Sequence, residues 1–489
     1  MRTTHLPNLG GCKKLNTLVL FLFLGFASFA QLNETENHDS SPFENRRDRG
    51  NRGTSGGDVF ISLDEAFDNV VSESDVKGFS AAIMTGDGSI WKRAAGVSQE
   101  NPTTEELTED HILGIASNTK SYIAATMLLM AEDGLLDLDD PMNMYLDPIE
   151  NTSGEVTIRQ LLGMRSGFSD YFNDNIELVD NTYLADVDSI WEIEGLLETF
   201  LLEPEFQVDE TFYYTNTNFL LAALIMESAG GNLWYEEVRN RVLDPLGLEN
   251  TFIAPFEQPD NQELAHPFSI IDVELVDATT FLNQDGHFSL ISSAGSIIST
   301  AEDLAIFRRA LHGGELLEES SYAEMTLNNS DEEWRAYGLG IQQDYSFGES
   351  NWGHGGFYIY RSVSYYFPEC DYSIVTIQND IRLDDVGLHL FDMLLDLKST
   401  YDLSVCDFLS VDNESNLELR LYPNPSEGVL NIQSDQSVTD LRIIDLVGNT
   451  VMEKLSSGEN RLDDLSNGTY IVVGTSNGAP IKQKLVIAR

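Results

Sequence analysis

The segment at residues 117–130 reads SNTKSYIAATMLLM, and it predicts a long apolar helix that begins just after a serine. Residues three apart on a helix share one face, so the amine of Lys120 can lie beside the hydroxyl of Ser117. A serine hydroxyl needs such a base at neutral pH, and burial lowers the pKa of a lysine. The alternative is that Ser117 caps the helix and Lys120 is a surface charge.

Two other serine–lysine pairs have the same spacing, at residues 74–77 and 89–92. The first pair lies in a polar loop. The second lies in a predicted strand, where alternation places the two side chains on opposite faces. Only Ser117 precedes a long apolar helix, predicted from Thr119 to about Asp133, and we therefore favour Ser117 as a nucleophile.

A second motif, Tyr214-Thr215-Asn216, lies between a polar loop and an apolar helix. A tyrosine beside a lysine ammonium is expected to have a lowered phenol pKa and to carry protons. The amide of Asn216 can donate to a substrate carbonyl. Residues 171–173 show the same Tyr-x-Asn pattern, so the motif has low specificity by itself.

A third motif, His354-Gly355-Gly356, precedes the aromatic, strand-like run from Phe357 to Tyr360. Glycines let a substrate approach the strand backbone, whose N–H groups can form an oxyanion hole. The similar triplet at residues 312–314 ends an amphipathic helix, where glycine is the expected C-cap. We therefore set that triplet aside.

The order of the predicted elements indicates an α+β fold. Strands near both ends of residues 58–400 enclose a largely helical region from 117 to 330, which predicts an antiparallel sheet flanked by helices plus an all-helical subdomain. After a linker at 401–417, short strands separated by turn residues predict a small β-sandwich at 418–489. The predicted strands of the larger domain are 79–84, 89–91, 339–344, 357–367 and 372–378, with helices at 61–71 and near 384–398.

The N-terminal residues predict export. Lys13 and Lys14 precede an apolar run, and small residues before position 31 form a cleavage site, so residues 1–30 are interpreted as a signal peptide. The alternative is a transmembrane anchor, but the run is short and no other segment approaches ~18 apolar residues. We expect no stable transmembrane span, and the polar residues 31–57 predict a flexible linker.

Charge and cysteine content exclude some functions. The net charge is −53, from 81 acidic and 28 basic residues, so a nucleic-acid partner is disfavoured. Beyond the signal peptide, Cys370 and Cys406 can form a disulfide in an oxidising compartment, and two free thiols are the alternative. The sequence has no Cys-x-x-Cys pattern or His–Cys cluster typical of zinc, and we expect no cofactor.

In their order, the three motifs resemble the S-x-x-K, Y-x-N and K/H-x-G motifs of the serine β-lactamase-like superfamily, particularly class C β-lactamases, DD-peptidases and related esterases. The resemblance covers about residues 58–400. It implies that Ser117 forms an acyl-enzyme, that Lys120 and Tyr214 activate it and return the proton, and that Asn216 positions Lys120 and the substrate. Similar flanking segments are 156–162, 166–168, 244–248, 299–304 and 337–340.

The resemblance also implies roles around the third motif. His354 takes the place of the more usual lysine, Gly356 lines the strand edge, and the backbone N–H groups of Ser117 and Phe357 form the oxyanion hole. The implied function is a secreted serine hydrolase that acts on a D-amino-acid peptide, an ester or a β-lactam. Two alternatives remain: an inactive binding protein that keeps the fold, and a structural surface protein.

The C-terminal region, residues 418–489, resembles the type IX secretion sorting domains of Bacteroidetes. The resemblance implies that the secretion machinery is a partner and that the protein is secreted or held at the cell surface. The alternative is a small carbohydrate-binding or adhesive sandwich. The similar segments are 421–425, 428–432, 445–448 and 468–473.

Overall fold

The computed structural model describes two stretches of the chain, each with gaps. The first is residues 63–381 without 75, 260–262, 272–273, 333–334, 346–349 and 370; the second comprises 419–422, 426, 428–434, 438–444, 450–462, 465–466, 468–476, 479–487 and 489. The predicted signal peptide, both linkers, the helix near 384–398, Cys370 and Cys406 lie outside the described residues. The disulfide therefore stays a prediction.

The first stretch contains an antiparallel sheet of eight strands in the order β3-β2-β1-β13-β12-β11-β10-β9. The first long strand, β1, pairs along its length with the last, β13, so the two ends of the stretch meet at the centre of the sheet. Both central strands are almost fully buried and rich in apolar and small residues, as expected for strands covered on both faces. The strands are β1 Gly78–Thr85, β2 Ile90–Gln99, β3 Glu105–Glu106, β9 Arg335–Tyr337, β10 Gln342–Asp344, β11 Trp352–Phe357, β12 Arg361–Phe367 and β13 Tyr372–Gln378.

In the described residues, helices and five short strands lie along the chain between the two halves of the sheet, and one further helix precedes β1. This arrangement confirms the predicted α+β fold. The helices are α1 Leu63–Glu73, α2 Thr119–Glu132, α3 Ile158–Leu162, α4 Ile176–Ala185, α5 Ile193–Phe200, α6 Thr217–Gly230, α7 Trp234–Val238, α8 Asp244–Leu246, α9 Gln284–Ile291, α10 Ala301–His312 and α11 Glu319–Met325. The short strands are β4 Leu113–Gly114, β5 Thr251–Ile253, β6 Phe268–Ile271, β7 Glu274–Asp277 and β8 Ile297–Ser299.

Two apolar helices, α2 and α6, pack against each other in the core. Each is apolar around most of its circumference, and a helix of that kind is stable only when it is buried on all sides. The first motif lies at the N-terminal end of α2, and the second lies directly before α6. The packing of these two helices therefore brings together residues that are about a hundred positions apart.

The hairpin of β11 and β12 differs from the prediction. The run from Phe357 to Tyr360 was expected to be strand, but β11 ends at Phe357 and residues 358–360 form the turn. The hydroxyls of Tyr358 and Tyr360 donate to the backbone oxygens of His287 and Ala265, which anchors the turn in the protein interior. The aromatic residues thus hold a turn and do not extend the sheet.

The second stretch forms two small antiparallel sheets, ordered β14-β15-β18 and β17-β16-β19-β20. Leu430, Ile443, Val472 and Leu485 come from both sheets and share one apolar core, as in the predicted small sandwich. Within the described ranges, no helix has the length and apolar character that crossing a bilayer requires. The strands are β14 Leu419–Tyr422, β15 Val429–Ser434, β16 Val438–Ile444, β17 Thr450–Met452, β18 Gly458–Arg461, β19 Gly468–Ser476 and β20 Ala479–Ile487.

Candidate active site

Ser117 lies in the 3₁₀ turn Ala116–Asn118 that leads into α2. Ala116 has a φ of 47°, a left-handed conformation that costs energy for a residue with a β-carbon. The turn leaves the serine hydroxyl within reach of the first turn of α2, where the Nζ of Lys120 donates to the Oγ of Ser117 at 3.1 Å. The predicted pairing of these side chains is therefore present in the structure.

The amine of Lys120 is fully buried and has two further acceptors. It donates to the Oδ1 of Asn216 and to the backbone oxygen of Ala294, both at 2.8 Å. Burial lowers the pKa of Lys120 to about 7, although the negative charge of Asp170 opposes this shift. A large fraction of this lysine is therefore neutral near pH 7 and can accept a proton from Ser117.

Tyr214 lies on the other side of the serine. Its hydroxyl is hydrogen-bonded to Ser117, and its ring centroid is 5.1 Å from the Nζ of Lys120. The expectation that the lysine lowers the phenol pKa is wrong, because burial raises the pKa of Tyr214 well above its ordinary value. Tyr214 is therefore a neutral phenol at working pH, able to relay a proton but not to act as a phenolate base.

Asp170 is a site residue that the sequence reasoning missed. Its buried carboxylate accepts hydrogen bonds from the backbone N–H and the side-chain amide of Asn216, at 3.2 and 2.9 Å. This contact turns the Oδ1 of Asn216 toward Lys120 and places a negative charge behind the lysine. Asp170 directly precedes the rival Tyr-x-Asn triplet at 171–173. This position is the sequence feature by which Asp170 could have been identified.

The rival triplet supports the site and does not duplicate it. The hydroxyl of Tyr171 donates to the backbone oxygen of Leu290 at 2.6 Å, so it is occupied elsewhere in the core. Asn173 donates through its backbone N–H and its side-chain amide to Asp170, at 3.2 and 2.7 Å. The triplet therefore fixes the orientation of the Asp170 carboxylate.

His354 is buried beside the Tyr214 ring, with 6.2 Å between the ring centroids. Its Nδ1 faces the backbone oxygen of Gly355 at 2.5 Å, and its Nε2 lies 3.4 Å from the hydroxyl of Tyr337. Burial, with a smaller contribution from the charge of Lys120, lowers the pKa of His354 well below its ordinary value. The third motif therefore presents a neutral imidazole, where the more usual lysine would be a cation.

Gly356 lies where β11 passes against the segment that carries Ser117. A β-carbon at this position would be 2.3 Å from the backbone oxygen of Ile115 and from the Oγ of Ser362. Only glycine fits this approach, which brings the end of β11, including Phe357, next to the serine turn. All three predicted motifs therefore border one site.

The alternative motifs at residues 74–77, 89–92 and 312–314 have ordinary structural roles. Lys77 pairs with Glu100, and Lys92 pairs with Glu302 at 2.5 Å. His312 ends α10, with Gly313 as the predicted C-cap. None of these contacts involves Ser117.

The chain belongs to the beta-lactamase family, whose model matches residues 63–387. Residues 420–488 match the secretion system C-terminal sorting domain, so the protein carries a type IX sorting domain and is directed to the cell surface or beyond. These matches confirm both resemblances.

Individual relatives are distant. The Bacillus subtilis (strain 168) protein PbpX, named as a penicillin-binding protein, is 24% identical over 300 residues, which are 60% of this chain and 68% of that protein. A solved D-stereospecific amidohydrolase from Streptomyces sp. is 27% identical, with a TM-score of 0.58 over 68% of this chain and 98% of that one. The D-amino acid amidase of Ochrobactrum anthropi SV3, solved with L-phenylalanine amide, is 24% identical, with a TM-score of 0.60 over 69% and 99%, and shows the shared fold.

Proposed function

We propose that the protein is a secreted serine hydrolase in which Ser117 is acylated. The observation that carries this proposal is the contact of the Ser117 hydroxyl with a buried amine whose pKa is about 7. A neutral amine at this distance is a general base matched to neutral pH. Family membership supports the same reaction class.

Each site residue has a step in this reaction. Lys120 accepts the proton of Ser117 while the serine oxygen attacks the substrate carbonyl, and Asn216 holds the amine in place. Tyr214 relays the proton to the leaving group, because its phenol stays protonated and bonded to the serine. The backbone N–H groups of Ser117 and Phe357 stabilise the oxyanion, and water then releases the acyl group.

The neutral His354 favours an uncharged substrate group beside the third motif. A lysine there would hold a carboxylate, such as that of a penicillin or a free peptide C-terminus. An imidazole that faces its own backbone and Tyr337 offers no positive charge to such a group. Among the D-amino-acid peptide, ester and β-lactam substrates, we therefore put amides and esters of D-amino acids first, in line with the similar amidohydrolase from Streptomyces.

A substrate panel on the purified full chain tests this function. We expect release of product from D-amino acid amides and p-nitrophenyl esters, and slower turnover of D-Ala-D-Ala peptides and nitrocefin. A fluorophosphonate probe should label the wild type and not Ser117→Ala. A folded wild type that takes no label and turns over no substrate would support the inactive binding protein instead. Tyr214→Phe should lower turnover by orders of magnitude, whereas the same change would leave the role of a structural surface protein unaltered.

Export includes a step that the described residues do not cover. We propose that residues 1–30 are removed as a signal peptide before the sorting domain acts. The mass of the protein recovered from the native host's medium or surface should correspond to a start at Gln31. An N-terminal mass that retains residues 1–30 would contradict this proposal.

A further inference from the structure

Arg308 is a fully buried cation in the middle of α10. Its pKa is lowered by burial to about 10, so it remains charged at neutral pH. Within the described part of the chain, no carboxylate lies within ion-pair distance of it. Burying an unpaired charge is costly, so a residue of this kind calls for a compensating role.

The contacts of Arg308 lead to the residue next to the proposed nucleophile. One terminal nitrogen donates to the Oδ1 of Asn118 at 2.5 Å, and the Nε donates to the Oγ of Ser364 at 2.6 Å. The Oγ of Ser364 in turn donates to the same oxygen of Asn118. The planar guanidinium therefore joins the serine turn to strand β12.

Asn118 continues the network on its other side. Its Nδ2 donates to the Oγ of Ser362 at 2.8 Å, and that hydroxyl donates to the backbone oxygen of Ile115 at 2.6 Å. Each serine hydroxyl donates one bond and accepts one, so the network has a single consistent direction. The other terminal nitrogen of Arg308 has no hydrogen-bond partner among the described residues. The remaining buried bonds still connect the serine turn directly to β12.

The two serines lie opposite the third motif. In the antiparallel register of β11 and β12, Ser362 pairs with Gly356 and Ser364 pairs with His354. The network thus clamps the turn that carries Ser117 to the strand pair that carries Phe357. These are the two segments whose N–H groups form the proposed oxyanion hole.

We propose that Arg308 is a positioning residue that sets the oxyanion hole, by holding Asn118 and Ser364 so that the Ser117 turn and the end of β11 keep a fixed separation. This inference rests on the proposed function. It extends that function to a residue outside the three motifs.

The test compares Arg308→Met with a matched control on the same helix. Arg309 is the adjacent arginine and bonds Glu315, Asp371 and the backbone of Gly86, away from the network. Arg309→Met therefore loses ion pairs without touching Asn118. For each full-length variant we would measure the fluorophosphonate labelling rate, kcat and KM on a p-nitrophenyl ester, and the urea midpoint.

We expect Arg308→Met to label on the order of 10- to 100-fold more slowly than the wild type, because small displacements of reacting groups have effects of this size. The loss should appear in kcat with KM nearly unchanged, and the pH midpoint of labelling should stay near 7. Arg309→Met should label at the wild-type rate even if its urea midpoint falls.

A folded Arg308→Met that labels at the wild-type rate would overturn the inference. An equal loss of labelling in Arg309→Met would also overturn it, because the effect would then be general destabilisation. If Arg308→Met does not fold, Arg308→Lys and Ser364→Ala provide the test. Each variant removes part of the hydrogen-bond network and should slow labelling several-fold. Wild-type labelling rates in both variants would refute the inference. A wild type that fails to label at all, as Ser117→Ala should, speaks against the proposed function and not against the clamp.

Discussion

Replacing Lys120 by methionine tests the electrostatics of the site through protein stability. Methionine is close to lysine in length and carries no charge, so the fully buried position can accept it. The variant removes the amine that contacts Ser117, Asn216 and the backbone oxygen of Ala294. It should therefore abolish labelling of Ser117, and it should also change how the free energy of unfolding depends on pH.

The magnitude follows from the pKa of Lys120, which falls from its ordinary 10.5 to about 7 on folding. Between these values the unfolded chain binds more protons than the folded one, so the wild type becomes more stable as pH rises. Each pH unit in this window corresponds to about 1.4 kcal/mol. The amine is still half protonated at pH 7, so the change over the first pH unit is smaller than this. Between pH 7 and 9, the free energy of unfolding of the wild type should therefore rise by about 2 kcal/mol relative to that of Lys120→Met.

The assay is urea unfolding of both full-length proteins at pH 7, 8 and 9, followed by far-ultraviolet circular dichroism. At pH 7 itself, the two proteins should differ little in their free energy of unfolding. The variant avoids burying a charge, but it leaves three acceptors without their donor, at a cost of about 1 kcal/mol each. The linkage to Lys120 predicts how this difference changes with pH. A difference that stays constant from pH 7 to 9 would refute it.

Three further predictions concern the same site. Labelling of Ser117 should rise with pH to a plateau with a midpoint near 7, because the amine of Lys120 must be neutral to accept the proton; a rate that is flat from pH 5 to 9 would contradict this. Asp170→Asn should move that rise to lower pH, since the carboxylate favours the charged lysine, and the same pH series measures it; a shift to higher pH would be the wrong sign. Gly356→Ala should slow labelling by about 100-fold, because its β-carbon would collide with Ile115 and Ser362. Gly355→Ala is the matched control, since the nearest atom to its β-carbon is 3.9 Å away, and equal rates in the two variants would argue against a close approach at Gly356.

The motif residues could be found from the sequence because each is coupled to a local pattern. Ser117 and Lys120 are three residues apart at the start of an apolar helix, and this spacing alone puts them side by side. The glycines after His354 marked a close backbone approach, which the structure shows at Gly356. The similar motifs at residues 74–77, 89–92 and 312–314 could also be set aside from their local sequence alone.

Other features could not be found in this way because they depend on burial and on distant contacts. The pKa of Tyr214 was expected to fall, but desolvation of its phenol raises the pKa. Asp170 is separated from Lys120 by fifty residues and acts through Asn216. Arg308 has the sequence context of an ordinary helix arginine, next to another arginine with surface ion pairs.

The sequence alone was enough to predict the α+β fold class, the helix that follows Ser117, the proximity of Ser117 and Lys120, and the C-terminal sorting domain. These features follow from periodicity, spacing and turn residues, which act over a few positions. The neutral state of His354 and the hydrogen bonds around Asn118 could be found only from the tertiary structure. Desolvation and hydrogen-bond geometry depend on everything that surrounds a group, and that surrounding comes from segments up to hundreds of residues away.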